Sequence, residues 1–254
     1  NERVGSGRHD SVNFSSFVSD LMDLLLPRGC VACGGRIPPE EGTELICLPC
    51  RTRLREPSAP RCPRCDVPMG SGVLPGSPCL ECYRWPAVLS SARAAVILQP
   101  PADSLVHALK YRGWRSLGRF MGLRMARVAP WNGSRPLLVP VPTTPGRRRV
   151  RGYNQSRILA EEASRATGAP MDDVLERPQG GSQVRSGPGE RRANVERAFR
   201  LVRGAGSRIR GREVILIDDV LTTGATALAA AEVLGRGGAR TVRLLTFARA
   251  LPFR

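Results

Sequence analysis

The chain is poor in aromatic residues, at 5% Phe, Trp and Tyr, and it has only two histidines and a single lysine, Lys110. Trp85, Trp114 and Trp131 show no ladder spacing, so the sequence offers little support for an aromatic platform that stacks single-stranded bases. Apolar stretches such as Leu24–Leu26 and Val214–Ile217 fall far short of the roughly 18 to 20 residues a membrane-spanning helix needs. No basic segment precedes an apolar stretch with a small-residue cleavage site, so no secretory signal is read and a cytoplasmic location is the expectation. Neither Gly-x4-Gly-Lys-[Ser/Thr] nor Gly-x-Gly-x-x-Gly after a strand occurs, which excludes those two phosphate-binding loops.

What remains is a chain of 254 residues, room for one large domain or two ordinary ones. Hydrophobic residues at 41% and charged residues at 24% exclude a disordered chain, a collagen and a disulfide-dense miniprotein. Thirty-nine basic residues against 22 acidic ones give a formal charge of +17. Residues 1–89 hold 10 Arg and 10 acids, so the whole excess lies in residues 90–254. Guanidinium forks suit phosphate, and a field of that sign attracts polyanions. The plainer alternative is a solvated basic surface.

All eight cysteines fall in four Cys-x-x-Cys pairs between residues 30 and 82, separated by 13, 11 and 13 residues. Each pair points two thiolates at one metal ion, and two pairs complete a tetrahedron. The repeated gap suggests tandem zinc ribbons, with sites at Cys30, Cys33, Cys47, Cys50 and at Cys62, Cys65, Cys79, Cys82. A cross-braced pairing of first with third stays open. Disulfides are the rival reading, disfavoured where no export signal is read. Four-cysteine sites are closed and structural, so this region is a staple or a docking surface. Ahead of it, Phe14, Phe17, Val18, Leu21, Leu24 and Leu25 follow helical spacing up to Pro27, which predicts a short amphipathic helix.

From Ser91 onward, apolar runs alternate with helical periods. Strands are expected at Ala94–Leu98, Leu137–Val141, Val214–Ile217 and Thr241–Phe247, with a short edge strand at Ala198–Val202. Helices are expected from Asp103 as cap to Tyr111, from Ser116 to Val128, from an Asn154 or Ser156 cap to Gly168, and from Thr223 to Leu234. This alternation predicts an α/β domain with a parallel sheet. The expected divisions are 1–28 (tail and helix), 29–89 (double zinc ribbon) and 90–254 (α/β domain).

The stretch from Val214 to Thr226 carries the most chemistry. A buried strand ends in Asp218 and Asp219, and a hydroxyl-rich loop then enters a helix. Unpaired N–H groups at a helix start bind phosphate. Thr222, Thr223 and Thr226 add hydroxyls, and Gly224 lets the backbone come close. The acids are suited to sugar hydroxyls or a divalent ion, so the combination fits a phosphorylated sugar.

Residues 214–226 resemble the phosphoribosyl pyrophosphate (PRPP) signature of type I phosphoribosyltransferases. The resemblance implies that Asp218 and Asp219 contact the ribose hydroxyls, with Mg²⁺ accompanying PRPP, and that Thr222, Thr223, Gly224, Ala225 and Thr226 hold the 5-phosphate. The wider layout resembles the ComF family: four Cys-x-x-Cys pairs, then Leu109–Gly113, Val139–Pro142, Arg151–Ser156 and the PRPP motif. Members of that family are linked to natural competence and DNA uptake. The resemblance implies a phosphoribosyltransferase-like domain behind a double zinc ribbon. It also implies a pyrophosphate loop after the Val139–Pro142 strand, for which Thr143, Thr144, Arg147 and Arg151 are the candidates, and a flexible loop with Gln183, Arg185, Arg191 and Asn194. That second segment serves equally as a lid over PRPP or as an arm that grips nucleic acid.

Three functions follow as expectations: a PRPP-dependent transferase with unknown acceptor, a non-catalytic PRPP sensor that binds single-stranded DNA, and a module whose ribbons dock a helicase or another protein of the DNA-uptake machinery. No acceptor pocket is legible. His107, on a helix of apolar residues, is read as structural or solvent-facing.

Overall fold

Two copies of one local fold carry the cysteines. In a computed structural model that describes residues 28–41, 44–70, 79–129, 135–178 and 198–251, Gly29 and Arg36 form an antiparallel bridge around Cys30, and Arg61 and Pro68 form the same bridge around Cys62. The turns match bond for bond. Gly34 N–H donates to the Cys30 carbonyl and Asp66 N–H to the Cys62 carbonyl, at 2.7 and 3.0 Å. Both turn residues have positive φ, +75° for Gly34 and +64° for Asp66. Asp is one of the few side chains that tolerates that conformation. The amphipathic helix expected at 14–25 and the flexible-loop candidates Gln183, Arg185, Arg191 and Asn194 lie outside the described residues.

The chain divides into two compact units, Asn1–Thr52 and Arg53–Arg254. This boundary separates the two cysteine knuckles, whereas the sequence reading kept them together and cut at 89/90. The physical reason is the second knuckle's packing. Cys62, Cys65, Cys82 and Trp85 are buried in one apolar cluster with Leu89, Ala92 and Leu221 of the α/β domain. The first unit has its own small interior of Val31, Ile37 and Ile46 around its cysteines. Its short helix α1 (Leu48–Arg53) starts where the Glu41 carboxylate accepts from the Leu48 N–H at 2.7 Å.

The second unit is built on four parallel strands in the order β1 (Leu89–Ile97), β6 (Thr241–Arg249), β5 (Glu213–Leu221), β2 (Leu137–Pro140). Val214–Ile217 is fully buried, as a strand covered on both faces must be. Helices α2 (Ala102–Tyr111), α3 (Leu117–Val128), α4 (Pro145–Arg151), α5 (Gln155–Thr167), α6 (Ala205–Ile209) and α7 (Ala225–Arg236) connect and cover it. Helix α3 packs on β1 and β6, and α5 on β2 and β5. The two helices approach closely at Gly118 and Gly122. A Cβ there would stand 2.2 Å from Ile158 Cγ2 and 2.5 Å from Glu162 Cβ.

Several expected elements are displaced. Strand β5 does not end before the acids: Asp218 still pairs with Thr246 of β6, and Val220 with Ala248. Helix α4 replaces an expected loop. Thr144 caps it by accepting from the Arg147 N–H at 3.3 Å, Pro145 fits the first turn, and Gly152 at φ +78° closes it. Residues Arg200–Leu201 form β4, which pairs with β3 (Leu175–Glu176) in a separate two-stranded sheet rather than edging the main one. Asp103 sits inside α2, and the cap position belongs to Pro101.

The shared core makes a prediction. Cys47→Ser should cost the chain one metal ion and leave the main calorimetric unfolding transition near its wild-type temperature. Cys62→Ser should also cost one ion but lower that transition by several degrees, at about 2–4 °C per kcal/mol for a unit of this size. Equal shifts in both variants would contradict the division.

Candidate functional site

At the carboxyl end of β5, the chain gathers groups from α2, α4, α5, β5 and α7 around a cavity of about 470 Å³. Asp219 is buried, and its carboxylate lies 2.7 Å from Lys110 Nζ of α2. Asp218 Oδ1 accepts from the Ser156 hydroxyl of α5 at 2.8 Å and from the Asp219 N–H at 2.9 Å. Burial, reinforced by the neighbouring Asp219, pushes the Asp218 carboxyl up to about 7, against the pull of Ser156, the Asp219 N–H and Lys110.

Residues Arg151–Ser156 hold this arrangement together. The Arg151 guanidinium lies 4.8 Å from the Tyr111 ring centre and donates to Gln155 Oε1 at 3.0 Å. Tyr153 is buried and its hydroxyl donates to the Leu109 carbonyl, fixing α2 beside Lys110. Asn154 caps α5 through the Ser156 N–H and donates from Nδ2 to the Val141 carbonyl at 3.1 Å. Each side chain of this stretch from Tyr153 to Ser156 thus ties the start of α5 to a neighbouring element or to its own cap.

After β5, Gly224 adopts φ +81° and opens helix α7. Thr222, Thr223, Gly224, Ala225 and Thr226 line a small hollow of about 50 Å³ that Asp218 also lines. Thr222, Thr223, Ala225 and Thr226 are exposed. A twelve-residue helix starts here, so its first N–H groups face that hollow with the positive end of the dipole.

Among the pyrophosphate-loop candidates, Thr143, Arg147 and Arg151 line the cavity. Thr144 caps α4 instead. The sequence reading missed three contributors, Lys110, Ser156 and Tyr111, and had Arg177 only as the first residue of the lid-or-arm segment 177–194. Lys110 had a signal, as the one lysine in an arginine-rich chain. Ser156 had one in its place directly after a cap candidate. Arg177 lines the cavity, with its guanidinium 4.6 Å from the Phe199 ring centre, and burial followed by the nearby Arg147 charge lowers its pKa. His107 is exposed on the cavity wall, its ring centre 5.0 Å from that of Tyr111.

The cysteines form two clusters, Cys30/Cys33/Cys47/Cys50 and Cys62/Cys65/Cys79/Cys82, in each of which the sulfurs lie within 4.8 Å of one another. The pairing is tandem, not cross-braced. Sulfur separations of 3.8 Å for Cys33–Cys47, 3.7 Å for Cys62–Cys82 and 3.6 Å for Cys65–Cys79 match the edge of a tetrahedron whose thiolates sit about 2.3 Å from zinc, about 3.8 Å. Both donor sets fit structural zinc.

Comparison with known proteins agrees with this geometry. Residues 21–83 match the double zinc ribbon domain, and residues 154–251 match the phosphoribosyl transferase domain. The architecture is therefore a phosphoribosyltransferase-type α/β domain joined to a double zinc ribbon. The DNA utilization protein YhgH of Escherichia coli O157:H7 is 30% identical over 90% of this chain and 100% of its own length. Competence protein ComFC of Bacillus subtilis is 26% identical, over 81% of this chain and 85% of its own length. Competence protein F of Haemophilus influenzae is 28% identical, over 59% of this chain and 69% of its own length. The chain belongs to this ComF/YhgH family.

The raised Asp218 pKa predicts a pH dependence of stability. The folded protein keeps a proton that the unfolded chain loses near pH 4. That contribution is complete below about pH 4, declines as pH rises, and is gone above about pH 7. Asp218→Asn, which is neutral at every pH, should therefore melt several degrees above wild type at pH 8, with the gap narrowing towards pH 4. A gap that does not change with pH, measured by calorimetry, would contradict this assignment.

Proposed function

We propose that this cavity binds PRPP as its magnesium complex and that the protein serves the handling of single-stranded DNA during uptake. The observation that carries the reading is one juxtaposition: an anion-binding helix start, two carboxylates and the guanidinium groups of Arg147 and Arg151 around one cavity. The 5-phosphate would sit in the hollow at Thr222–Thr226. Asp218 and Asp219 would accept hydrogen bonds from the ribose hydroxyls. Thr143, Arg147 and Arg151 would face the pyrophosphate, whose charge Mg²⁺ neutralises when bound. The relatives' names, DNA utilization and competence proteins, support the link to DNA. A cytoplasmic location and contacts with other uptake proteins accompany this reading.

Transfer of the ribosyl group would require pyrophosphate to leave the anomeric carbon as an acceptor forms the new bond there. Cations around the leaving pyrophosphate would stabilise its charge. Pyrophosphate release in the presence of candidate acceptors would add that activity to binding.

A second reading, a grip on single-stranded DNA, is favoured by the exposed Arg147, Arg148 and Arg149 on α4, of which Arg147 lines the cavity. Because Arg147 also faces the proposed pyrophosphate position, PRPP and DNA should compete. DNA affinity should fall linearly on a log–log plot with salt, with a slope of about −0.7 per phosphate neutralised.

Calorimetry tests the ligand. Wild type should bind Mg²⁺·PRPP. The double change Asp218→Ala with Asp219→Ala should weaken it at least about tenfold, since each charge-assisted bond contributes roughly 1.5–3 kcal/mol and 1.4 kcal/mol is tenfold. The acid changes should spare free phosphate, whereas Thr223→Val should weaken phosphate and PRPP alike. A wild-type chain that binds no PRPP with Mg²⁺ present would overturn this reading.

A further inference from the structure

The second cysteine knuckle reaches the phosphate loop by two routes. The first is a buried cation. Arg249, the last residue of β6, is 1% exposed. Its guanidinium donates to the Thr222 carbonyl at 2.8 Å and lies 3.9 Å from the carboxylate of Glu81. Glu81 stands between Cys79 and Cys82. A guanidinium so buried is expensive unless its partners hold it, and here those partners are the loop on one side and the knuckle on the other. The second route is an aromatic ring. Trp85, three residues after Cys82, is buried, and a Cβ placed on Gly224 would lie 3.5 Å from Trp85 Cζ2. The left-handed residue that opens α7 therefore rests on the indole.

The knuckle itself is fastened to the rest of the domain. Arg64, between Cys62 and Cys65, donates to the carbonyls of Cys82, Trp85, Pro86 and Leu89 at 3.0–3.1 Å. Asp66 is buried and accepts from the Ala94 N–H of β1 at 3.1 Å. Both fastenings depend on the turn around Cys62 and Cys65 keeping its shape, and a bound metal fixes that shape.

We propose that the metal-loaded second knuckle positions the phosphate loop, with Arg249 and Trp85 as positioning residues, so that disturbing the knuckle loosens residues 222–226 and lowers affinity for the 5-phosphate. The ligand half of this inference rests on the PRPP reading, whereas the mechanical half does not.

Hydrogen exchange on the zinc-loaded full chain separates the two. Glu81→Gln keeps all four thiolates and removes the charge that faces Arg249. Cys79→Ser disrupts the metal site, and Arg249→Met removes the link. In all three variants, the first paired amides of α7, from Leu228 (which donates to the Gly224 carbonyl at 2.8 Å) to Ala231, should exchange faster than in wild type, by tenfold or more in Arg249→Met and Cys79→Ser and less in Glu81→Gln. In Glu81→Gln and Arg249→Met, amides of β2 in the same sheet should lose less protection than these. Arg249→Lys, which keeps the charge without the fork, should fall between Met and wild type. Ribose 5-phosphate affinity should drop with loop protection, and pyrophosphate affinity should not. Wild-type exchange at 228–231 in Glu81→Gln and Arg249→Met would overturn the proposal, as would a uniform rise across the domain in those two variants. Should Cys79→Ser fail to fold, those two variants still decide it. Faster loop exchange in the variants, with no PRPP binding by wild type, would uphold the coupling and overturn the ligand assignment alone.

Discussion

Two adjacent carboxylates at the carboxyl end of β5 constrain most of what surrounds them. An unpaired buried charge costs several kcal/mol, and Asp218 and Asp219 are consecutive in one strand. The chain answers with Lys110 from α2 for Asp219 and with Ser156 from α5 for Asp218. Those partners must come from separate helices, so the helices must be fixed to one another. The Tyr153 hydroxyl on the Leu109 carbonyl and the Asn154 amide on the Val141 carbonyl do that. Even so, burial leaves the Asp218 carboxyl shifted upward. Such residual tension is common where a site keeps polar groups ready for a ligand.

The other side of the site is held differently. If the hollow at 222–226 holds a phosphate, as proposed, it needs backbone N–H groups at fixed positions rather than charge, and exposed threonines cannot fix a backbone. The rigid supports are the Trp85 ring beside Gly224 and the Arg249 guanidinium under Thr222. Both belong to, or contact, the segment around Cys79 and Cys82. The second cysteine cluster shares a core with the α/β domain, while the first has an interior of its own. Repetition of one local fold does not imply repetition of its role. Asp66 marks the difference: it stands where the first knuckle has Gly34, and its carboxylate accepts from the backbone of β1.

Much of this was legible in the sequence because it is local. Cysteine spacing pointed to the two clusters, and the apolar run before two acids and a threonine loop pointed to the residues at the centre of the candidate site. The elements that were misjudged depend on contacts between distant segments. Strand β5 extends through its acids because β6 supplies partners as far as Arg249, which no property of Asp218 reveals. The Arg147–Arg151 stretch reads as a basic loop by composition, yet Thr144, Pro145 and Gly152 supply the start and stop of a helix. Lys110 and Ser156 lie 109 and 62 residues from the acids they contact. The contact between the second knuckle and β6 was hidden for the same reason, since Arg249 is about 170 residues from Glu81 in sequence.

A crystal structure grown with Mg²⁺·PRPP would test the site most directly. The 5-phosphate should lie against the N–H groups of Thr223–Thr226, with the ribose hydroxyls on Asp218 and Asp219 and the pyrophosphate towards Arg147 and Arg151. PRPP bound elsewhere on the chain, or a phosphate in the hollow with the sugar turned away from both acids, would contradict the assignment.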